Sequence, residues 1–207
     1  MEGLQSSIDT VSLHLGAGNG DGGCVRSCNF YGALERALHK RGLQARLPEG
    51  GMPDPLRARE GVWVPFVLEQ LGCEGEGSEG GGRAVVVGHS SGAVCALRVA
   101  ERTRLAGVVL VAAYDDPLGD ALEAASGYFD RPFDWELVRA NCGFIVQLAG
   151  ARDSLVPIEV QRRVAQSLRL GDEGAYVYVE HADEDHFFSG RGEEIAERIV
   201  ASLELAA

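Results

Sequence analysis

The chain has 207 residues, of which 45% are hydrophobic and 24% charged, values that are typical of a globular protein and argue against disorder. Its 31 acidic residues outnumber 19 basic ones, which gives a formal net charge of −12 at pH 7. This charge repels phosphate backbones and anionic lipid surfaces, so we expect neither a nucleic-acid partner nor membrane docking. The length predicts a single domain over residues 1–207.

The sequence shows no targeting or membrane-spanning pattern. Residues Met1–Ser7 lack a basic region followed by an apolar one. The longest apolar stretch, Leu105–Tyr114, is about half as long as a bilayer crossing requires. Five cysteines, an odd number scattered along the chain, indicate reduced thiols rather than a disulfide framework. We therefore predict a cytoplasmic protein.

Strand-like runs alternate with helical patterns along the chain. The predicted strands are Val11–Leu15, Leu43–Leu47, Ala84–Val87, Gly107–Ala112, Phe144–Leu148 and Ala175–Val179. The predicted helices are Asn29–Arg41, Ala58–Leu71, Ala93–Arg104, Asp134–Ala140, Pro157–Leu168 and Glu193–Leu205. Pro65 lies inside the second helix and predicts a kink or a break there.

Two of the predicted strands are apolar at every position, as in Ala84–Val87 and Val108–Val111. This pattern is typical of parallel strands that helices cover on both faces. Together with the strand–helix alternation it predicts an α/β fold with a mostly parallel central sheet. The glycine- and glutamate-rich stretch 72–82 is predicted to be a flexible surface loop.

The segment Gly88–Gly92 reads Gly-His-Ser-Ser-Gly and fits the pattern G-x-S-x-G. It follows an apolar strand and precedes a helix, which is the setting of a nucleophile elbow that displays Ser90 at the edge of the sheet. The alternative is a glycine-rich turn in which Ser90 or Ser91 caps the helix. The neighbouring His89 is predicted to shape the turn rather than to transfer protons.

A serine nucleophile needs a base, and the base needs an acid that orients it. Asp153 follows the fifth predicted strand and His186 follows the sixth. The chain order Ser90, Asp153, His186 is that of α/β-hydrolases, so we predict these as the catalytic residues. The alternatives that remain open are His181 as the base and Asp115 or Asp116 as the acid.

An oxyanion hole requires two N–H donors. One is predicted to be the backbone N–H of Ser91, the residue after the nucleophile. The other is predicted to come from Gly18 or Asn19, in the glycine-rich loop after the first strand.

No cofactor or metal is predicted. The segment Gly18–Gly23 matches G-x-G-x-x-G, but no acidic residue ends a second strand at the spacing that dinucleotide binding requires. Cys24 and Cys28 lack the further ligands of a zinc site.

The sequence resembles the retinoblastoma-binding protein nine family of small serine hydrolases, a compact branch of the α/β-hydrolases. Besides the elbow, the resemblance rests on Gly18–Gly20, Met52–Pro55, Ala58–Glu60, Ala125–Phe129, Arg131–Pro132 and Ala140–Cys142. It covers nearly the whole chain and implies that Ser90, Asp153 and His186 form the catalytic triad.

Two positions depart from the family pattern. The residue before the catalytic histidine is usually glycine in the family, and here it is Asp185. The family's Leu-x-Cys-x-Glu segment, which engages the retinoblastoma pocket, here reads Leu-Gly-Cys-Glu-Gly over Leu71–Gly75. Because the final glutamate is missing, we expect no binding of this kind.

We predict a serine hydrolase that cleaves a small ester, thioester or activated amide through an acyl-enzyme. The resemblance implies a small acyl or aminoacyl ester as the substrate. Phe129, Phe133 and Trp135 are predicted to line the acyl pocket; packing on the sheet is the alternative role. The rival functional hypothesis is a catalytically silent hydrolase fold that acts as a protein-binding module.

Overall fold

The computed structural model describes residues 25–48, 50–73, 80–169 and 175–206. In these ranges a sheet of four parallel strands forms the centre of the protein, with the strands side by side in chain order. The strands are β1 (Val85–His89), β2 (Gly107–Val111), β3 (Phe144–Gly150) and β4 (Ala175–His181). One row across the sheet pairs the valines Val87, Val109, Val146 and Val177.

Helices connect and cover the strands. They are α1 (Tyr31–Lys40), α2 (Glu60–Gln70), α3 (Ser91–Ala100), α4 (Ala121–Ala124), α5 (Trp135–Asn141), α6 (Ile158–Arg169) and α7 (Gly192–Ala206). Two short 3-10 turns span Val25–Ser27 and Gly80–Arg83. No helix in the described part has both the length and the apolar character that a membrane crossing requires.

Successive side chains of a strand point to opposite faces of the sheet, so alternate residues of each strand are buried in two different cores. Val85 and Val87 pack in one core with residues of α1 and α7. Val86 packs in the other core with residues of α2, α3, α5 and α6. The predicted α/β fold, with helices on both faces of a parallel sheet, is confirmed.

Of the last four predicted strands, β1, β3 and β4 each end two residues later than predicted, and β2 ends one residue earlier. In addition, β1 begins one residue later than predicted, at Val85. The first predicted strand, Val11–Leu15, lies outside the described residues. In the second, Leu43–Leu47, only Ala45 forms a β-bridge, so the described chain does not form the predicted strand there. The unpredicted α4 has only four residues, and Asp120 caps it by accepting hydrogen bonds from two backbone N–H groups.

Pro65 does not break α2, which continues from Glu60 to Gln70. A proline inside a helix removes one backbone hydrogen bond. Here Trp63, Val64 and Val67 are all buried in the core, and this packing holds the helix together across the proline. The predicted break is therefore wrong. Most of the predicted loop 72–82 lies outside the described residues.

Candidate active site

Ser90 occupies a strained turn between β1 and α3. Its backbone has φ 56° and ψ −124°, in a region that residues other than glycine rarely adopt. Its N–H donates to the carbonyl of Val111 over 2.9 Å, which ties the turn to β2. The Ser90 side chain makes no capping hydrogen bond to α3, so the helix-cap alternative for this residue does not hold.

Gly88 allows the chain to turn this sharply. A Cβ atom at this position would overlap the Gly92 carbonyl oxygen and lie 2.6 Å from the Ala93 Cα. Because both neighbours are backbone, they cannot move aside without moving the turn. Gly88 is therefore required by the close packing of β1 against α3.

Asp153 and His186 form a buried pair beyond the ends of β3 and β4. The His186 Nδ1 lies 2.9 Å and 3.0 Å from the two carboxylate oxygens of Asp153. The His186 side chain is only 4% exposed, and the Asp153 side chain is 0% exposed. A carboxylate can only accept, so Nδ1 carries the hydrogen and the Nε2 atom of the neutral ring is free to accept a proton.

The loop after β3 holds the Asp153 carboxylate in place. One oxygen accepts hydrogen bonds from the backbone N–H groups of Leu155, over 2.9 Å, and Val156, over 2.8 Å. The other accepts from the Gln161 side chain over 3.1 Å. With His186 as a further donor, the buried carboxylate has the partners that a buried charge requires.

Ser90 and His186 line one cavity of about 400 Å³. Its other lining residues are Asn29, His89, Ser91, Tyr114, Leu118, Asp120, Glu123, Leu155, Val156 and Phe188. No hydrogen bond joins the Ser90 hydroxyl to His186 among the described residues. In unliganded enzymes this bond is often long and tightens only when substrate binds.

Ser91 begins α3, where a backbone N–H has no acceptor within the helix. Its hydroxyl donates to Glu123 over 2.9 Å and accepts from the Tyr114 hydroxyl over 3.0 Å. Burial and the nearby Glu123 charge raise the pKa of Tyr114 well above its ordinary value, so this phenol stays a donor. The other predicted oxyanion residues, Gly18 and Asn19, lie outside the described residues.

The three predicted pocket aromatics are not among the residues that line this cavity. Phe133 and Trp135 line a different cavity, beside α5 and α6, and Phe133 packs under the Arg98 guanidinium. Phe129 stacks on Tyr114, which does line the cavity. The geometry therefore favours the alternative role, in which these aromatic residues pack on the core.

The alternative acids and base have other partners. Asp115 and Asp116 both bind the guanidinium of Arg163. His181 lies 3.3 Å from Glu194. Within the described ranges no group of His, Cys, Asp and Glu side chains could hold a metal ion, and Cys24 lies outside those ranges.

The sequence did not predict the residues that hydrogen-bond to Ser91 and Asp153 from other parts of the chain. Tyr114, Glu123 and Gln161 belong to no local motif, and each reaches its partner only in the folded chain. The one available signal was position, since Tyr114 follows the carboxyl end of a parallel strand, where such folds bind ligands.

The parallel sheet, the strained serine turn and the buried Asp–His pair define an α/β-hydrolase. Solved structures support this fold across nearly the whole chain. The ydeN gene product of B. subtilis superimposes with a TM-score of 0.73 at 20% identity, covering 94% of this chain and 100% of that one. A monoacylglycerol lipase from Paleococcus ferrophilus gives 0.58 at 18% identity, covering 97% of each chain.

No family model matches the chain. A curated relative does: serine hydrolase RBBP9 of Rattus norvegicus is 37% identical over 187 residues, which are 90% of this chain and 91% of that protein. The chain belongs to the RBBP9 family of serine hydrolases, and it is a hydrolytic enzyme.

Proposed function

We propose that Ser90, His186 and Asp153 form a catalytic triad that cleaves small esters, thioesters or activated amides. The observation that carries this proposal is the buried Asp153–His186 pair, whose histidine lines the same cavity as a serine held in an elbow turn. The three side chains come from three separate loops at the carboxyl edge of one parallel sheet.

In the first half of the reaction, the Ser90 Oγ attacks the substrate carbonyl carbon while His186 Nε2 takes its proton. Asp153 holds the ring through Nδ1 and stabilises the imidazolium that forms. The tetrahedral intermediate collapses as His186 gives the proton to the leaving alcohol, thiol or amine. Water then attacks the acyl-enzyme, with His186 again as the base.

Negative charge on the carbonyl oxygen needs hydrogen-bond donors. The N–H of Ser91 at the start of α3 suits this role, because it has no helical acceptor and lies at the positive end of the helix dipole. For the second donor we propose the loop that contains Gly18 and Asn19.

The cavity suits a small substrate with both polar and apolar parts. A volume of about 400 Å³ lies at the lower end of the range for small-molecule sites. Leu118, Leu155 and Phe188 give it an apolar side, whereas Asp120 and Glu123 give it an acidic one. These features support a small acyl ester, including an aminoacyl ester whose ammonium group the acidic side attracts.

Two further proposals rest on the sequence. The odd number of scattered cysteines supports a cytoplasmic location. Because the Leu-x-Cys-x-Glu segment is incomplete, we propose no retinoblastoma-type partner. Gly75, which stands where that segment requires glutamate, lies outside the described residues.

Labelling with a fluorophosphonate, which reacts with activated serines, tests the triad. We expect the wild type to be labelled and to hydrolyse p-nitrophenyl acetate, and Ser90→Ala to lose both activities. Ser167→Ala, in α6 away from the cavity, is the matched serine control. His186→Ala should abolish labelling, whereas His181→Ala should keep it. A folded wild type that neither labels nor hydrolyses esters would refute the triad and favour the protein-binding module.

A further inference from the structure

His89 is a buried histidine beside the nucleophile to which the triad gives no role. It ends β1, is 2% exposed, and precedes Ser90 in the chain. Its ring packs edge-on against Phe30 and Tyr31 of the α1 region, and its centroid lies 4.8 Å from that of His186.

Both nitrogens of the His89 ring are hydrogen-bonded. Nε2 lies 2.9 Å from the backbone carbonyl oxygen of His186. Nδ1 lies 2.7 Å from the Tyr31 hydroxyl, which in turn accepts from the Asn29 amide over 3.1 Å. Because a carbonyl can only accept, Nε2 must carry the hydrogen, and in the neutral ring Nδ1 then accepts from Tyr31.

The surroundings of His89 keep the ring neutral. Burial, aided by the nearby His186, lowers its pKa to about 3. Burial also raises the pKa of Tyr31 above its ordinary value, so Tyr31 remains a hydroxyl donor. Both groups thus keep fixed donor and acceptor roles across the neutral pH range.

The hydrogen bond from His89 restrains the backbone of His186, which the Asp153 contact alone does not fix. Asp153 fixes the ring at Nδ1, but the ring can still move with its loop. On one side the loop is anchored by Phe187, which is fully buried with a positive φ of 53°. The bond from His89 holds the His186 carbonyl itself, and His89 is covalently joined to Ser90.

We propose that His89 is a positioning residue, whose Nε2–H fixes the His186 backbone and thereby sets the distance between the base and the Ser90 hydroxyl. This inference rests on the proposed triad and adds the contact that connects its nucleophile to its base. The Tyr31 hydroxyl donates to Nδ1 and so stabilises the His89 tautomer that makes this contact.

The test compares His89→Leu, which removes the donor, with His89→Gln, whose amide N–H replaces Nε2–H. Exposed His39→Gln is the matched control. Active sites are counted by fluorophosphonate titration, and kcat per active site and KM are measured with p-nitrophenyl acetate. We expect His89→Leu to lower kcat per active site about 10- to 100-fold with KM within about twofold. His89→Gln should recover to within about threefold of wild type.

A purely structural role would reduce the number of titrated sites and the thermal stability, but not kcat per site. Wild-type kcat per site in His89→Leu, or equal losses in His89→Leu and His89→Gln, would overturn the positioning role. If both His89 variants fail to fold, Tyr31→Phe carries the test, with an expected loss in kcat of about 3- to 10-fold. An unchanged kcat there would overturn the proposal.

A measurement without turnover separates this proposal from the triad. Long-range 1H–15N NMR of the wild type should show His89 as the neutral Nε2–H tautomer from pH 5 to 8. A Nδ1–H tautomer would overturn the positioning role even in an active enzyme. The opposite result is an Nε2–H tautomer in a folded protein that fluorophosphonate does not label. The hydrogen bond would then be present, but the triad would be refuted, and with it the role of His89 in catalysis.

Discussion

Asp185 connects the loop of the base to the loop of the acid through Ser154. One oxygen of its carboxylate accepts hydrogen bonds from the Ser154 N–H over 2.7 Å and from the Ser154 hydroxyl over 2.8 Å. Asp185 precedes His186, and Ser154 follows Asp153. The position where the family usually has glycine therefore carries, in this chain, a direct contact between the two halves of the acid–base pair.

We expect Asp185→Ala to lower kcat about 3- to 10-fold, because the two loops lose a double hydrogen bond and the histidine becomes less well fixed. Asp183→Ala is the control, since that side chain is 79% exposed and lies 3.5 Å from Arg191, away from Ser154. Hydrolysis of p-nitrophenyl acetate measures both variants. Equal activities in both would show that the contact does not affect catalysis.

The hydrogen bonds between Asp185 and Ser154 should depend on pH, because they require the ionised Asp185 carboxylate. Hydrogen bonds from the Ser154 backbone and side chain lower the pKa of Asp185. This contact is therefore complete above the ordinary aspartate pKa of about 3.9 and is lost as the pH falls through the lower folded value. Protection of the Ser154 amide from hydrogen exchange should weaken only in strongly acidic solution, and Asp185→Ala should lack this protection at every pH.

Asp153→Asn should lower kcat about 10⁴-fold while the protein stays folded. An amide in place of the carboxylate no longer favours the ring with hydrogen on Nδ1, and it does not stabilise the imidazolium. Asp115→Asn, which alters the alternative acid, should keep nearly full activity because Asp115 binds Arg163. The reverse pattern would move the acid to Asp115.

Gly88→Ala should destabilise the protein by about 1–3 kcal/mol and abolish labelling of Ser90, since the added methyl overlaps backbone of the elbow. Gly61→Ala in α2 is the matched control, because its Cβ would meet nothing within 4 Å. That change should stabilise the helix by up to about 1 kcal/mol. Urea denaturation gives both free energies of unfolding.

The lowered pKa of Glu60 leads to a prediction of how the free energy of unfolding depends on pH. Burial alone would raise its pKa, but hydrogen bonds from Arg131 and the charges of Arg131, Arg98 and Arg102 lower it overall. Its stabilising contribution is therefore complete above the ordinary glutamate pKa of about 4.3 and is lost as the pH falls through the lower folded value.

We expect Glu60→Gln to reduce the free energy of unfolding by about 1–2 kcal/mol at pH 7, because charge-assisted hydrogen bonds to Arg131 and Arg102 are weakened. The difference from wild type should shrink below about pH 4. Urea denaturation at pH 7, 5 and 3.5 measures it, with exposed Glu204→Gln as the control. A difference that is independent of pH would contradict this account.

Phe188 should influence which acyl groups are accepted. It lines the cavity, is 51% exposed, and its ring lies 5.3 Å from that of His186. We expect Phe188→Ala to lower kcat/KM for butyrate esters about 10-fold more than for acetate esters. Trp135→Ala should leave this ratio unchanged, because Trp135 lines another cavity. A changed ratio in Trp135→Ala would restore it to the acyl pocket.

The fold class and the three triad candidates could be predicted from sequence because their signals are local. Uniformly apolar strands, the Gly-His-Ser-Ser-Gly turn and polar residues directly after strands are each visible within a few consecutive positions. Since parallel strands place their carboxyl ends at one edge, chain order alone predicted that Ser90, Asp153 and His186 would meet.

Only the tertiary structure decided which side chains support that site. Phe133 and Trp135 were predicted to line the acyl pocket because their side chains are aromatic, but in the structure they line a different cavity, beside α5 and α6. Tyr31 and His89 meet across 58 positions of the chain, so no spacing rule could pair them. The local sequence shows which chemical groups are present at the site. Their hydrogen-bond partners depend on how the helices pack on the sheet, because that packing brings residues that are distant in the chain within about 3 Å of each other.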